Sequence, residues 1–249
     1  WVDMFGYELP APEADAWARL ANDVLMAAAK AEPRFVPLAT VPLGDGARAA
    51  AVLKDAIKAG FRGAMIGTLP RGVGSTLDAK DLDPFWQAAD DAGAVIHVHP
   101  SYDAGDVRVN DFGLANGLGR ITDAAVAVAR LISAGHVARY KNVKFFAPMG
   151  AAALPFVLGR LKRNAAITPN VGDPAAALAS IYTDTILHDA RVLKFVIEMM
   201  GTERLMMGSD MPFPIGDTEP LKIVAEAGLS KAQADSVNGG LAARLFNIQ

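Results

Sequence analysis

The sequence predicts an α/β protein built around a parallel sheet, and three observations lead to this prediction. Short apolar runs alternate along the chain with amphipathic or alanine-rich helical patterns. The 249 residues are 52% hydrophobic, which is ample for one large core. No long linker, composition break or internal repeat divides the chain, so we expect a single domain over residues 1–249. Alternation of this kind is typical of βαβ units with parallel strands.

Six apolar runs are predicted as strands, because each is short and is followed by turn residues or a helical pattern. In chain order they cover 34–41, 62–67, 94–99, 143–147, 180–184 and 204–208. Six strands are fewer than the eight of a (β/α)₈ barrel and are also compatible with an open doubly wound sheet. The strand count alone leaves both architectures open.

Helices are predicted between these strands, where apolar residues recur with helical spacing. They cover 13–31, 46–59, 82–92, 119–139, 152–163 and 189–200. The helix at 119–139 is apolar on most of its faces, which predicts either deep burial or a contact between subunits.

Composition excludes several classes of protein. The net charge is −3 and there is no dense basic block, so nucleic-acid binding is not expected. No apolar run reaches the length of about 18 residues that a membrane span needs. The absence of cysteine excludes disulfides and thiolate sites and fits a reducing compartment, so we predict a cytoplasmic protein. The loop at Gly72 and Gly74 lacks the third glycine of a dinucleotide-binding motif.

Asp210 is the first carboxylate after the last predicted strand, and it precedes a proline-rich turn in GSDMPFPIGD. Ligands of parallel α/β proteins collect beyond the carboxyl ends of the strands, so this position predicts a site residue. Capping of a following helix is an equally ordinary role for aspartate.

His97 and His99 lie two residues apart at the end of the predicted strand AVIHVH, where both side chains share one face. Two imidazoles together with an oxygen ligand such as Asp210 would suit zinc or a similar divalent ion. A hydrogen-bonded structural role is the alternative. His136 lies late in a predicted helix, where interaction with the carboxyl end of the helix accounts for it. His188 lies beside either a helix cap or the site.

Four segments together resemble the amidohydrolase-2 family, which includes 2-amino-3-carboxymuconate-6-semialdehyde decarboxylase and γ-resorcylate decarboxylase. They are FWQAADDAGAVIHVHP, VKFFAPMGAAALPFVLGRL, YTDTILHDARVLKFVIEMMGTERLMMGSDMPFPIGD and GGLAARLFNI. The resemblance covers nearly the whole chain. It implies a distorted (β/α)₈ barrel, a divalent metal at its carboxyl-terminal mouth, and non-oxidative decarboxylation or, in relatives, hydrolysis. The metal expected is zinc, with manganese as the alternative.

The resemblance assigns the site residue by residue. His99 matches the metal-binding histidine of the HP motif, and Asp210 matches the metal-binding aspartate, so both are expected to be metal ligands and catalytic. His97 stands where the family more often has an apolar residue, and is expected beside the substrate. Arg160 matches an arginine that reaches a substrate carboxylate, sometimes in an adjacent subunit; a structural salt bridge is its alternative role.

Two departures from the family pattern bear on activity. Relatives begin with an H-x-H on their first strand, and this chain begins after that place, so the first one or two barrel strands are expected to be missing from it. Met149 replaces the family's catalytic histidine and leaves a thioether without a titratable proton beside the substrate. Alanine at 151 and 152 replaces glycine and predicts a smaller, drier pocket.

The resulting prediction is a metal-dependent decarboxylase of an aromatic or muconate-type acid. A hydrolase of an ester, amide or lactone, and a catalytically impaired barrel, are the alternatives. Relatives are commonly oligomeric, so a homodimer or higher homo-oligomer is expected. The aromatic residues of WVDMFGY and Trp86 are candidates for a ring-binding pocket, although core packing is their more frequent role.

Overall fold

The protein is described by a computed structural model that covers residues 4–102 and 104–248. Trp1 and its expected role in a pocket lie outside the described residues. The strands of the described part are β1 (Gly63–Gly67), β2 (Val95–His99), β3 (Lys144–Phe146), β4 (Thr183–Asp184) and β5 (Leu205–Met206). All of their pairings are parallel, as the alternating pattern predicts.

The strands follow one another across the sheet in chain order. β2 pairs with β1 on one side and with β3 on the other, and β4 pairs with β5. A parallel bridge from Phe146 to Tyr182 connects the two sets. A second bridge, from Ala39 to Ala64, extends the order beyond β1. Because the strands are parallel and sequential, their carboxyl ends lie at one edge of the sheet.

Five of the six predicted strands are confirmed, although β4 and β5 are only two residues long. The prediction over 34–41 is wrong in extent, since Ala39 alone forms a bridge there. Pro37 lies inside this segment and Pro42 follows it, and a proline nitrogen has no hydrogen to donate to a strand ladder.

The helices pack around the sheet, and the first two match the predictions at 13–31 and 46–59 closely. They are α1 (Ala11–Ala31), α2 (Gly46–Ala59), α3 (Asp83–Ala92), α4 (Arg120–Ser133), α5 (His136–Arg139), α6 (Pro148–Ala152), α7 (Leu154–Ile167), α8 (Pro174–Leu178), α9 (Ala190–Met200), α10 (Pro220–Glu226), α11 (Lys231–Asp235) and α12 (Leu241–Phe246). No helix in the described part of the chain is long and apolar enough to cross a membrane.

The helix predicted at 119–139 is in fact two helices. α4 ends at Ser133, and Gly135 adopts a left-handed conformation with φ of 76° before α5 begins. Glycine adopts this conformation without steric cost, so it is a natural point for the break. α4 buries one face, including Val128 and Leu131, which favours packing within the subunit for most of the helix.

The main hydrophobic core lies between the sheet and the surrounding helices. Trp86 is fully buried there, and its indole nitrogen donates a hydrogen bond to the carbonyl of Leu77 at 2.9 Å. Its side chain stacks on Phe145 of β3, with ring centroids 5.4 Å apart. Trp86 is therefore a core residue and does not line a pocket for substrate.

A smaller core fills the opposite face of the sheet. Val95 of β2, Phe146 of β3 and Met206 of β5 belong to one buried cluster, closed by Leu241 of α12. β3 and β4 lie between β2 and β5, so contact among these side chains shows that the sheet curves as in a barrel. Residues at alternate positions share a face, so His97 and His99 continue the inward row that begins at Val95.

Candidate active site

A cavity of about 260 Å³ lies beyond the carboxyl ends of the strands. Its walls include four of the predicted site residues, which come from three different parts of the chain: His97, His99, Met149 and Asp210. Asp184, at the end of β4, also lines it. We call this cavity the site pocket. Its position agrees with the rule that ligands of parallel sheets bind at the strand carboxyl ends.

The two histidines of β2 are placed by the strand register. His97 lies beside Met65 of β1 and Phe146 of β3, and its ring packs edge to face on Phe146 at 4.6 Å. Burial lowers the pKa of His97 to about 3, with a smaller contribution from the neighbouring charge of His99. His97 is therefore a neutral imidazole at physiological pH. Its Nε2 atom is buried and has no hydrogen-bond partner among the described residues.

His99 extends one step further toward the mouth of the site pocket. Its Nδ1 lies 2.8 Å from the carbonyl oxygen of Pro100. A carbonyl oxygen only accepts, so the neutral ring carries its proton on Nδ1 and its lone pair on Nε2. A metal-binding histidine usually has one ring nitrogen hydrogen-bonded to a backbone carbonyl or a carboxylate and the lone pair of the other nitrogen on the metal.

Asp210 follows β5 and adopts a left-handed conformation with φ of 54°, which is uncommon outside glycine, asparagine and aspartate. Burial raises the pKa of its carboxyl group, while the charges of Arg120 and His188 oppose part of the rise. The next helix begins only at Pro220, after Glu219. The alternative role of Asp210 as a helix cap is therefore wrong.

Asp184 was missed by sequence reasoning, although the rule that identified Asp210 applies to it equally. It is the last residue of the strand predicted at 180–184, and it is buried. Its Oδ1 accepts hydrogen bonds from the amides of Met149 at 2.9 Å and Ile186 at 3.0 Å. Burial raises the pKa of Asp184 to about 7. The hydrogen bonds from these amides lower it, and the charge of Asp210 raises it.

Met149 lies in α6, a short segment between β3 and α7 whose backbone forms a left-handed turn and not a right-handed helix. Every residue from Met149 to Ala153 has φ between 51° and 61°. A left-handed conformation costs a non-glycine residue roughly 1 to 2 kcal/mol, so the turn needs external support. The hydroxyl of Thr183 accepts a hydrogen bond from the Ala151 amide, and Asp184 accepts one from Met149.

The expected narrowing of the site pocket by alanines 151 and 152 is wrong. Both residues are fully buried, and neither lines the site pocket. Since Ala151 belongs to the main core, its methyl group packs there. Of Met149, Ala151 and Ala152, Met149 lines the site pocket. It also borders a second, apolar cleft of about 490 Å³.

The left-handed turn leads to a stability prediction at Gly150. A Cβ atom there would lie 2.8 Å from Leu187 and 3.1 Å from Val196, at a φ of 61°. We expect Gly150→Ala to lower the free energy of unfolding by about 3 kcal/mol, through the strained backbone and overpacking. Gly159→Ala is the matched control, because it lies in helix α7 with open space around it. That variant should gain about 0.5 to 1 kcal/mol in urea unfolding; equal stability of the two variants would contradict the prediction.

Arg160 is not brought to the site pocket within this subunit. It lies on α7 with an exposed side chain and is absent from the lining of the site pocket. It also makes no salt bridge within residues 4–102 and 104–248, so the structural alternative is wrong for the single chain. Arg120, which sequence reasoning missed, lines the site pocket instead, together with Tyr102.

The remaining histidines have different surroundings. His136 is buried against Trp86, with ring centroids 5.9 Å apart, and it begins α5 instead of lying late in a long helix. Its expected interaction with the end of that helix is therefore replaced by core packing. His188 is exposed and precedes Asp189, whose side chain caps α9, and its charge also acts on Asp210.

The donor atoms of the site pocket suit a divalent metal in kind. An imidazole nitrogen of His99 and the carboxylate of Asp210 are ordinary ligands of zinc or manganese. The buried Nε2 of His97 has no hydrogen-bond partner among the described residues, and a polar or charged group bound in the site pocket would supply one. Among the described residues, however, no group of three or more histidine, cysteine, aspartate or glutamate side chains is arranged to hold a metal ion.

Comparison with known proteins agrees with the family resemblance. A protein from Dictyostelium discoideum, named 2-amino-3-carboxymuconate-6-semialdehyde decarboxylase, is 26% identical over 254 residues, which cover 98% of this chain and 70% of that protein. The crystal structure of a dihydroxybenzoic acid decarboxylase from Polaromonas sp. JS666 contains manganese and 2-nitroresorcinol. It is 25% identical with a TM-score of 0.84, and the match covers 96% of this chain and 77% of that one.

The fold has a further counterpart in 5-carboxyvanillate decarboxylase from Novosphingobium aromaticivorans. That structure matches with a TM-score of 0.87 at 22% identity, over 98% of this chain and 74% of that one. The predicted fold class, a distorted TIM-type α/β barrel, is confirmed by these likenesses. The Amidohydro_2 family profile, described as amidohydrolase, matches residues 10–248. This match spans nearly all of the sequence, and the chain therefore belongs to the amidohydrolase family.

Proposed function

We propose that the protein is a metal-dependent decarboxylase of an aromatic or muconate-type carboxylic acid. The observation that carries the proposal is the meeting of His99 and Asp210 in one small cavity at the strand carboxyl ends. The names of the relatives support the reaction type, since the matched proteins from Dictyostelium discoideum and Polaromonas sp. JS666 are both named as decarboxylases.

His99 and Asp210 are the residues that would hold the metal, which we propose is zinc or manganese. When bound, a divalent ion supplies a Lewis acid that anchors the acid and stabilises the charge developing as carbon dioxide leaves. Manganese is present in two of the solved structures that this chain resembles. The binding of Nδ1 to the Pro100 carbonyl keeps the His99 ring in one orientation for this role.

The chain's own residues would handle the proton and exclude water. The pKa of the Asp210 carboxyl is raised by burial, which brings it nearer to the range in which a carboxyl exchanges protons near neutral pH. As the bond to carbon dioxide breaks, Asp210 would pass a proton to the ring carbon that loses its carboxylate, and it would regain one from solvent. Met149 and Phe213 form apolar walls of the site pocket, so they keep solvent from the reacting carbon. Met149 itself cannot transfer a proton.

We further propose that the substrate is a small carboxylate and that the protein assembles as a homodimer or a larger homo-oligomer. Phe156 on α7 is 82% exposed, and Arg160 is exposed one helical turn further along. Aromatic residues are enriched at subunit contacts. In such an assembly Arg160 would approach a neighbouring subunit. The lack of cysteine is compatible with a cytoplasmic location, which we retain as a proposal.

Product analysis tests the reaction. The protein is incubated with manganese and carboxyl-¹³C-labelled 2,6-dihydroxybenzoate, and labelled carbon dioxide is measured by mass spectrometry. We expect release that stops when a chelator is added and resumes when manganese is restored. Uptake of water by an ester, amide or lactone without carbon dioxide release would identify a hydrolase. Stoichiometric metal binding without turnover of the carboxylic acid or of an ester, amide or lactone would identify an impaired barrel.

A further inference from the structure

Arg120 lies where a negatively charged ligand in the site pocket would meet it. It is the first residue of α4, and its side chain lines the site pocket together with Asp184 and Asp210. Its charge acts on Asp210, so the guanidinium group lies within electrostatic range of the metal-binding end of the site pocket. It therefore stands close to the proposed reacting groups without being one of them.

The carboxyl groups of the site pocket disfavour an acid; the proposed divalent ion would offset their charge, and the negative charge of the acid itself would need a further cation. Asp184 and Asp210 are both carboxyl groups, and both repel an anion when they are ionised. Among the described residues that line the site pocket, Arg120 is the side chain with a permanent positive charge. A guanidinium presents paired donors that match the two oxygens of a carboxylate.

The ring of Tyr102 lies against this guanidinium. The Arg120 carbon at the centre of the group lies 5.1 Å from the centroid of the Tyr102 ring. Contact with the ring face is a favourable cation–π interaction, and it limits how the guanidinium can rotate. Tyr102 also lines the site pocket, so the same ring offers a flat surface to an aromatic acid.

A buried hydrogen-bond network holds Arg120 at a set distance from the strand that carries His99. Asp123, one turn after Arg120 on α4, accepts hydrogen bonds from the hydroxyl of Thr68 and from the amide of Ser101 at 2.8 Å. Thr68 follows β1 and Ser101 follows β2. The start of α4 is thus tied to the ends of two strands, so Arg120 is positioned before a ligand arrives.

We infer that Arg120 determines specificity by binding the carboxylate of the substrate, with the ring of Tyr102 alongside, so that the site pocket selects planar aromatic acids over neutral ring analogues. This inference rests on the proposed decarboxylase function and adds the residue that recognises the acid. Arg160, the arginine expected from the family resemblance, lies outside the site pocket of its own subunit.

Ligand binding without turnover tests the inference. Salicylate and its neutral analogue salicylamide are titrated into the protein by calorimetry, both with manganese and with a chelator. We expect Arg120→Gln to weaken salicylate binding by about tenfold to a hundredfold and to leave salicylamide binding unchanged. Arg120→Lys should recover part of the preference, because it restores the charge but not the paired donors. Arg163→Gln, an exposed position on α7, is the matched control and should bind as the wild type does.

Three results would overturn the inference. They are equal weakening of both ligands in Arg120→Gln, no weakening of either, and loss of the salicylate preference in Arg160→Gln instead. The outcome is separable from that of the proposed function. Preference for salicylate that depends on Arg120, without carbon dioxide release by the wild type, would refute the reaction alone. If Arg120→Gln releases carbon dioxide with the same KM as the wild type, the role of Arg120 alone is refuted.

Discussion

Replacing Asp210 by Asn is expected to lower kcat for carbon dioxide release by about a thousandfold, within the usual range for loss of a proton-transferring group. The amide keeps the size of the side chain but has no proton to exchange and is a poorer metal ligand. Asp210 lies in the site pocket, and burial raises its pKa, so its place and the direction of this shift fit the role. The measurement is single-turnover release of labelled carbon dioxide at a fixed, saturating manganese concentration.

Asp217→Asn is the control for this experiment. Asp217 lies in the same loop, outside the lining of the site pocket, and its side chain accepts a hydrogen bond from the amide of Glu219 at 2.8 Å. Asparagine preserves that acceptor, so turnover should be unchanged. Undiminished decarboxylation by a folded Asp210→Asn protein would remove Asp210 from the mechanism.

Replacing Asp184 by Asn is expected to change how stability depends on pH. Burial raises the pKa of Asp184 to about 7 in the folded protein, whereas an aspartate in the unfolded chain titrates near its model value of 3.8. Between these values the folded state retains a proton that the unfolded state has released. Protonated Asp184 therefore contributes stability that is fully present below pH 3.8 and is lost as the pH rises through about 7.

The size of this effect is about 4 kcal/mol, because a shift of about three pKa units changes stability by about 1.4 kcal/mol per unit. Asparagine is neutral throughout and keeps the oxygen that accepts from the amides of Met149 and Ile186. The unfolding free energy of Asp184→Asn minus that of the wild type should therefore rise by about 4 kcal/mol from pH 4 to pH 8. Urea unfolding across this range, with a chelator present, measures the difference.

Asp111→Asn provides the comparison, since Asp111 is exposed. If the difference between Asp184→Asn and the wild type varies with pH no more than that of Asp111→Asn does, then the pKa of Asp184 is not raised in the folded protein and the prediction is wrong.

The strand ends were the most predictable part of the site. A carboxylate or histidine that directly follows an apolar run identified His99 and Asp210, and the same rule applied at 180–184 would have found Asp184. Strands that alternate with helices run parallel, so the edge at which they end can be inferred without knowing the packing. The family resemblance then supplied the expected roles of these residues.

Arg120 and Arg160 show what local pattern does not determine. Arg120 reaches the site pocket because α4 is anchored to the ends of two strands through Asp123, a contact that spans 55 residues to Thr68. Nothing in the sequence around Arg120 indicates that contact. Arg160 occupies the position expected from its motif, but the face of α7 on which it lies turns it toward solvent. Side-chain direction on a helix depends on tertiary packing.

The left-handed turn at Met149–Ala153 also has a consequence for the order of folding. Four of its five residues carry a Cβ atom, so the turn is unfavourable on its own. The groups that hold it, Thr183 and Asp184, lie 32 and 35 residues further along the chain. Such distant contacts form after local structure, since closing a long loop has an entropic cost. We therefore expect the wall of the site pocket that contains Met149 to be completed only after β4 has docked, so that ligand binding is a late event on the folding pathway.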